Sequence, residues 1–386
     1  MVVIIFYIAL CLKIYTLTEI RNNPHDVVLI FISLSAGIFI HGLINYWLHY
    51  SFNIHRFLET FVFLILFLLG AFSFVLVAKK SDEHQVDFVL KFVFYALIIV
   101  GILSILGYSP FFSEWKAMVF YMEPSHFALS FLPFLLYIAV QSDIKYKLIW
   151  LAISFEIALM VQNLTLILGI IFISILVLPI RKFLVLLASF SLLFYTNKIV
   201  SHVYFIMNNS AVGANMPDAV SYVADRVSLT SPNLSVLVFK SGWERAYLNF
   251  IDNFGFGIGF QQLGFVGRDG EIMTNIMNVV AGQKTCLLDG ATVAAKLVSE
   301  FGMMAIVALG LYSIYAIRYA VNLRELSLRK NKIRDSKYVF FLACFLMFCI
   351  DLFVRGTGYF SSSAFLFTAS LIWILMLHSK STGMKS

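Results

Sequence analysis

Apolar residues run through this chain in long, nearly unbroken blocks. They fall at about 2–18, 27–44, 57–78, 88–107, 124–140, 147–161, 164–179, 183–200, 292–318, 338–354 and 357–378. Most approach the roughly 20 residues that cross a bilayer core. None shows the ten-residue alternation of a membrane β-barrel strand. The pattern predicts about eleven helices, with 147–161 and 164–179 short enough to be one hairpin broken at Gln162 and Asn163. A single long polar interval, 201–291, interrupts the series. Within it Leu237, Phe239, Trp243, Tyr247 and Phe250 recur at helical spacing. Residues 233–251 therefore read as a helix, started at Ser231–Pro232–Asn233 and broken by Asn253 to Gly259.

Composition turns the pattern into a class. Of 386 residues, 61% are hydrophobic and 13% charged, against about 25% charged in soluble domains. The expectation is an all-α polytopic membrane protein: one transmembrane domain over 1–386, with 201–291 as a large, partly helical loop. The net charge of +7 reads as topology signal, not as a nucleic-acid surface, since no zinc-finger or RNA-binding pattern accompanies it. The most basic loop, 318–337, goes to the cytoplasm. Alternation then places Arg21, Lys79, Lys80, Lys145, Lys147, Arg181, Lys182 and Lys380 inside as well. The N-terminus and the 201–291 loop fall outside, and the C-terminus inside. The first block lacks a basic leader and a cleavage site and reads as a retained span.

Three of the four cysteines, Cys11, Cys344 and Cys349, sit in apolar blocks, and Cys286 is alone in the loop. Neither a disulfide framework nor a metal spacing is present. P-loop, G-x-S-x-G and H-E-x-x-H patterns are absent too.

Candidate chemistry gathers at the expected outer ends. In FYMEPSHFALS, Glu123 precedes Pro124 at the start of a helix, with His126 one turn on. Pro at the first helical position is favourable. One reading makes Glu123 a cap of its own helix. The other makes it a general base or hydroxyl acceptor that His126 orients. Arg226, Arg245 and Arg268 are candidates for phosphate, which guanidinium binds through a bidentate fork. The glycine-dense NFGFGIGF lets backbone N–H groups approach an anion. Ionisable residues in or beside spans are costly and default to functional hypotheses. Asp351 with Arg355, and Lys296 with Glu300, stand i,i+4, where an internal pair is the alternative. Glu156 lies within a span, and His41, Asn45, His49 and Glu59 gather near the outer face.

MEPSHFALSFLPF (122–134), the run NLSVLVFKSGWERAYLNFIDNFGFGIGFQQLG (233–264) after Asp225–Arg226, and DGATVAAKLVSEFG (289–302) together resemble the bacterial O-antigen polymerase (Wzy-type) family of the O-antigen ligase and polymerase superfamily. These blocks cover about a fifth of the chain. Family members have about twelve helices, so the resemblance implies a GT-C-like membrane fold of eleven or twelve. It also implies a metal-independent glycosyltransferase without cofactor. Such an enzyme joins undecaprenyl-diphosphate-linked oligosaccharide units at the periplasmic face of the inner membrane, for O-antigen or capsule. A polysaccharide chain-length regulator is a further partner. On this reading Glu123 and His126 are catalytic. Arg226, Arg245 and Arg355, with Arg268 behind them, hold diphosphate, and Trp243 and Glu244 contribute to the same substrate site. O-antigen ligase is the alternative within the enzyme class. A flippase for the same lipid-linked sugar is the alternative outside it, but paired halves are not apparent.

Overall fold

A computed structural model describes residues 24–108, 118–190, 233–280, 287–328 and 335–381. All the regular elements among these residues are helices. They are α1 Pro24–Leu48, α2 Ile54–Lys80, α3 Glu83–Ile105, α4 Pro124–Gln141, α5 Ile144–Met160 and α6 Leu164–Val177, then α7 over 180–190. Next come α8 Leu234–Asp252, α9 Glu271–Val279, α10 Val293–Phe301, α11 Met303–Leu328, α12 Ser336–Phe353 and α13 Ser362–Ser381. Six are long and apolar enough to cross a membrane: Val27–Leu48 of α1, α2, α3, α4, α11 and α12. The protein is a helical, multi-pass membrane protein. The count of eleven or twelve spans belongs to the sequence reading, and its first block, 2–18, lies outside the described residues.

Helix ends follow local chemistry. Asn53 caps α2, its side chain accepting from Arg56 N at 2.9 Å, and Lys79 and Lys80 occupy the last turn, where cations favour the negative end of the dipole. Asp82 caps α3 through His84 N at 3.1 Å. Between α5 and α6, Gln162 takes φ of 50° and Asn163 caps α6 through Leu166 N. The suspected broken hairpin is therefore two helices joined by a strained turn. The block at 292–318 also divides. Gly302, at φ 55°, separates α10 from α11.

The chain forms two compact units, one of Met1–Ser81, Leu237–Ala316 and Asp351–Ser386, the other of Asp82–Val236 and Ile317–Ile350. In the first, Gly42 of α1 lies so close to the Phe57 ring that a Cβ there would overlap it. α13 packs along α2 through Phe365, which meets Phe67 and Phe74 edge to face. The core of this unit joins membrane helices to the polar interval: Ile38, Phe52 and Phe57 pack with Ile258, Phe260, Leu263, Val266, Phe301 and Ala305. Seating the loop this way buries large apolar side chains, each worth about 1.5–3 kcal/mol.

In the second unit, α4 is buried along most of its length and packs on α3, α5 and α6. Phe94, Phe131 and Phe127 stack in series. One end of this unit is polar and tightly tied. Lys147 is buried, and its Nζ donates to Ser327 O at 2.8 Å and Ser327 Oγ at 2.5 Å. Glu83 accepts from Ser336 N at 2.9 Å and pairs with Lys337 at 3.6 Å. Residues 83, 147, 327 and 336 thus share one end, as the alternation of basic loops requires. Lys147 is a buried cap there, not a solvated anchor. At another turn, Asn163 Nδ2 donates to Pro124 O, tying the α5–α6 turn to the start of α4.

Candidate functional site

The first unit contains a dense polar cluster around the turn 287–291. Arg245 reaches it from α8, its Nη1 donating to Leu287 O at 2.8 Å. Lys296 reaches it from α10, its Nζ donating to Leu288 O at 2.7 Å. The loop after α12 closes over it, Gly356 N donating to Ala291 O at 2.8 Å. Three segments read separately in the sequence therefore meet at one turn: GWER, DGATVAAK and the stretch holding Arg355. Its backbone is strained, with Ala291 at φ 62° and, opposite it, Gln261 at 58°. Non-glycine residues in that region cost of order 1–3 kcal/mol and cluster at functional sites.

The backbone just past the glycine-dense run meets a carboxylate, the protein's own Glu300. Gln261 N donates to Glu300 Oε2 at 2.9 Å and Leu263 N to Oε1 at 3.4 Å. Ile258 N and Gly259 N are engaged by the carbonyls of Ser299 and Glu300. Lys296 and Glu300 are both buried. They are linked through Gln261, whose side-chain oxygen accepts from Lys296 Nζ at 3.1 Å. Lys296 Nζ also lies 4.8 Å from the centroid of the Tyr359 ring. The buried Tyr359 hydroxyl is near enough to feel the Glu300 charge without meeting hydrogen-bond geometry. Burial pushes the Glu300 carboxyl above its usual range, against the opposing pull of Lys296 and the amide donors.

Arg245 is itself buried. Desolvation lowers its pKa, opposed by the charges of Asp269 and Glu300. Its Nε–H is buried without a partner, as is the hydroxyl of Ser241 one turn earlier. An unmade hydrogen bond of this kind costs about 1–3 kcal/mol, and it leaves Arg245 a donor for an incoming oxygen. Trp243 is half-buried on the same helix. Glu244 is engaged as a cap, its carboxylate accepting from Glu271 N and Ile272 N at 2.9 Å each at the start of α9. Arg268 is largely exposed and lies 3.5 Å from Asp252. Glu244, Leu248, Arg268, Asp269, Gly270 and Glu271 line a cavity of about 390 Å³.

Arg226 lies outside the described residues. Asp351 does not take up the anticipated pairing with Arg355. Its carboxylate accepts from Thr357 N at 3.0 Å and from the hydroxyls of Thr357, Ser361 and Ser363, so it shapes the loop that carries Arg355. His41 and Asn45 are buried on α1, where His41 Nε2 meets Phe256 O at 3.0 Å.

Glu123 and His126 belong to the second unit. Glu123 occupies the cap position of α4 with Pro124 behind it, yet its side chain accepts no helix N–H. It accepts instead from Ser125 Oγ at 3.0 Å, so the capping alternative is not realised. Both side chains are half-buried. No family model, no curated protein and no solved structure matches this chain.

Sequence reasoning missed the Gln261 bridge. Lys296 and Glu300 were visible as a pair, but Gln261 lies 35 residues from Lys296, and nothing local marks it. The available signal was adjacent glutamines, Gln261 and Gln262, directly after an apolar glycine run. Gln262 is likewise buried and exchanges hydrogen bonds with the backbone of Asn53 at 2.8 and 3.2 Å, pinning the α1–α2 turn to the loop.

Proposed function

We propose that this protein is a polysaccharide polymerase acting on oligosaccharide units carried on undecaprenyl diphosphate, at the periplasmic face of the bacterial inner membrane. The observation that carries the reading is the meeting of Arg245, Lys296 and the Arg355 loop at the turn 287–291. Two buried cationic side chains, Arg245 and Lys296, reach this turn, which supports a reading with an anionic substrate group. In the reaction, an acceptor sugar hydroxyl bonds to the anomeric carbon of the donor sugar. The bond from that carbon to the diphosphate breaks, and the diphosphate leaves as an anion. Glu123, with His126, is the candidate that its own motif offers for taking the hydroxyl proton. Arg245 and Arg355, with Arg226 and Arg268 as further candidates, stabilise the departing charge, which grows most in the transition state.

The test is incubation of the purified, reconstituted protein with lipid-linked repeat units, read as a ladder on a gel. We expect a ladder from the wild type and only single units from Glu123→Gln and His126→Ala. Wild-type ladders from both variants would remove these residues from the chemistry. Transfer to lipid A–core with no ladder would replace polymerase by ligase.

A further inference from the structure

The C-terminal half of α8 carries an apolar stripe that faces away from the rest of its unit. Tyr247 and Ile251, one turn apart on α8, and Phe254, in the turn that follows the helix, are 65%, 53% and 100% exposed. α8 is not among the candidate spans, so bilayer-crossing does not account for that exposure. The adjoining face is occupied: Gly267 and Gly270 sit against Asn249 and Glu244, and Asp252 faces Arg268. The stripe ends in a rigid turn. Phe254 holds φ of 52°, and Phe254 N, Gly255 N and Phe256 N all donate back to residues 250–253. The most exposed aromatic side chain of this segment is thus presented by a fixed backbone.

Two contacts set the level of that turn relative to the spans. Met303 N, at the first residue of α11, donates to Gly255 O at 2.7 Å. His41 Nε2 meets Phe256 O, about 25 Å along α1 from Pro24 at about 1.5 Å per residue. The candidate span of α1 is Val27–Leu48 and a hydrocarbon core is about 30 Å thick, so the His41 contact lies about two-thirds of the way along it, toward the end at Leu48. Just beyond this level α1 ends in exposed Tyr46, Trp47 and Tyr50, the residue types that favour membrane interfaces. An apolar stripe at that depth, bordered by the Asp252–Arg268 pair, has the makeup of an interfacial helix.

We infer that Tyr247, Ile251 and Phe254 form a membrane-surface contact that lays the end of α8 into the leaflet at which α11 begins. The occupant is lipid at the boundary between headgroups and acyl chains. The contact fixes the height of the 254–256 turn at the bilayer, whatever substrate the neighbouring residues serve.

The full chain is reconstituted in phosphatidylcholine nanodiscs with Cys11, Cys286, Cys344 and Cys349 replaced by alanine. An environment-sensitive NBD label is placed through Tyr247→Cys, Ile251→Cys or Phe254→Cys. Asn275→Cys, on the exposed polar face of α9, is the aqueous control. Lipids bearing a nitroxide near the headgroup should cause loss of fluorescence at the three stripe positions, and iodide should leave them nearly unquenched, with the opposite ranking at 275. Iodide quenching at 251 and 254 equal to that at 275 would overturn the proposal. So would protection from both quenchers, which would mean that protein, including a second copy of this chain, covers the stripe. If Phe254→Cys does not yield monodisperse protein, Ile251→Cys and Tyr247→Cys carry the same test.

Discussion

Removing Lys296 is the sharpest probe of the buried cluster. The lysine donates to Leu288 O and Gln261 Oε1, and Glu300 is enclosed one turn away. Lys296→Met keeps the apolar stem but leaves the carboxylate without an opposing charge and the Leu288 carbonyl without its donor. Losing one partner of a buried charged pair costs about 3–5 kcal/mol, and we expect the variant to fall in that range. Glu300→Gln should also destabilise, since it leaves the ammonium buried. The double variant should cost less than the sum of the two, with a coupling of about 1–3 kcal/mol. The pH dependence gives a second handle. Burial raises the Glu300 carboxyl above its unfolded value, which is about 4.3. Between those two values the folded chain holds more protons than the unfolded one, so this contribution to stability is present below the unfolded value and is lost as pH rises through the folded one. Glu300→Gln should flatten that slope. Lys296→Met should extend the window upward, because the lysine charge favours the carboxylate. The assay is denaturant unfolding in mixed micelles, followed by tryptophan fluorescence across pH. Additivity within about 0.5 kcal/mol would refute the idea that the two charges act as one unit.

Gly257→Ala should destabilise by more than about 1 kcal/mol: φ is 81° and a Cβ would stand 2.5 Å from the Glu300 carbonyl oxygen. An unchanged thermal midpoint would contradict this. Arg245→Ala should weaken binding of a lipid-linked donor and destabilise by about 1–3 kcal/mol through the orphaned Leu287 carbonyl, with Arg245→Lys restoring only part of the binding. Donor titration of both variants decides it, and full affinity in the alanine variant would leave Arg245 a purely structural role. For topology, Asn275→Cys should label with an impermeant maleimide from the periplasmic side while Glu325→Cys does not. The reverse pattern would invert the orientation.

Where a boundary is written in local chemistry, the sequence shows it. The helix expected at 233–251 forms at Leu234–Asp252, because Asn253 and the glycines after it end its period on the spot. The hairpin at 147–179 turns where Gln162 and Asn163 suggest. The split at Gly302 is different in kind. Hydropathy runs on from Leu297 and Val298 into Met303 and Met304, and one glycine in such a run is tolerated. What breaks the helix is a tertiary partner. Gly302 has no room for a Cβ against the Gly255 carbonyl, and Met303 N is taken by that same oxygen. No window over 292–318 contains the residue responsible.

The candidate site divides along the same line. NFGFGIGF does not hold an anion through its own N–H groups: Ile258 N and Gly259 N go to backbone carbonyls, and the carboxylate is met just past the run, by Gln261 N and Leu263 N. Which anion they hold is not local, since Glu300 lies about 40 residues further on. The consequence reaches function. With Ile258 N and Gly259 N on the carbonyls of Ser299 and Glu300, and Gln261 N and Leu263 N on the Glu300 carboxylate, this stretch ties the loop to α10. At the nearby 287–291 turn, the Arg245 Nε–H is the buried donor that still lacks a partner, and on the proposed function it is the group to test for phosphate binding. Desolvation lowers the Arg245 pKa, and the charges of Asp269 and then Glu300 act against that shift. Glu300 therefore holds the 261–263 backbone against α10, while the Arg245 guanidinium is oriented separately, by the Leu287 carbonyl.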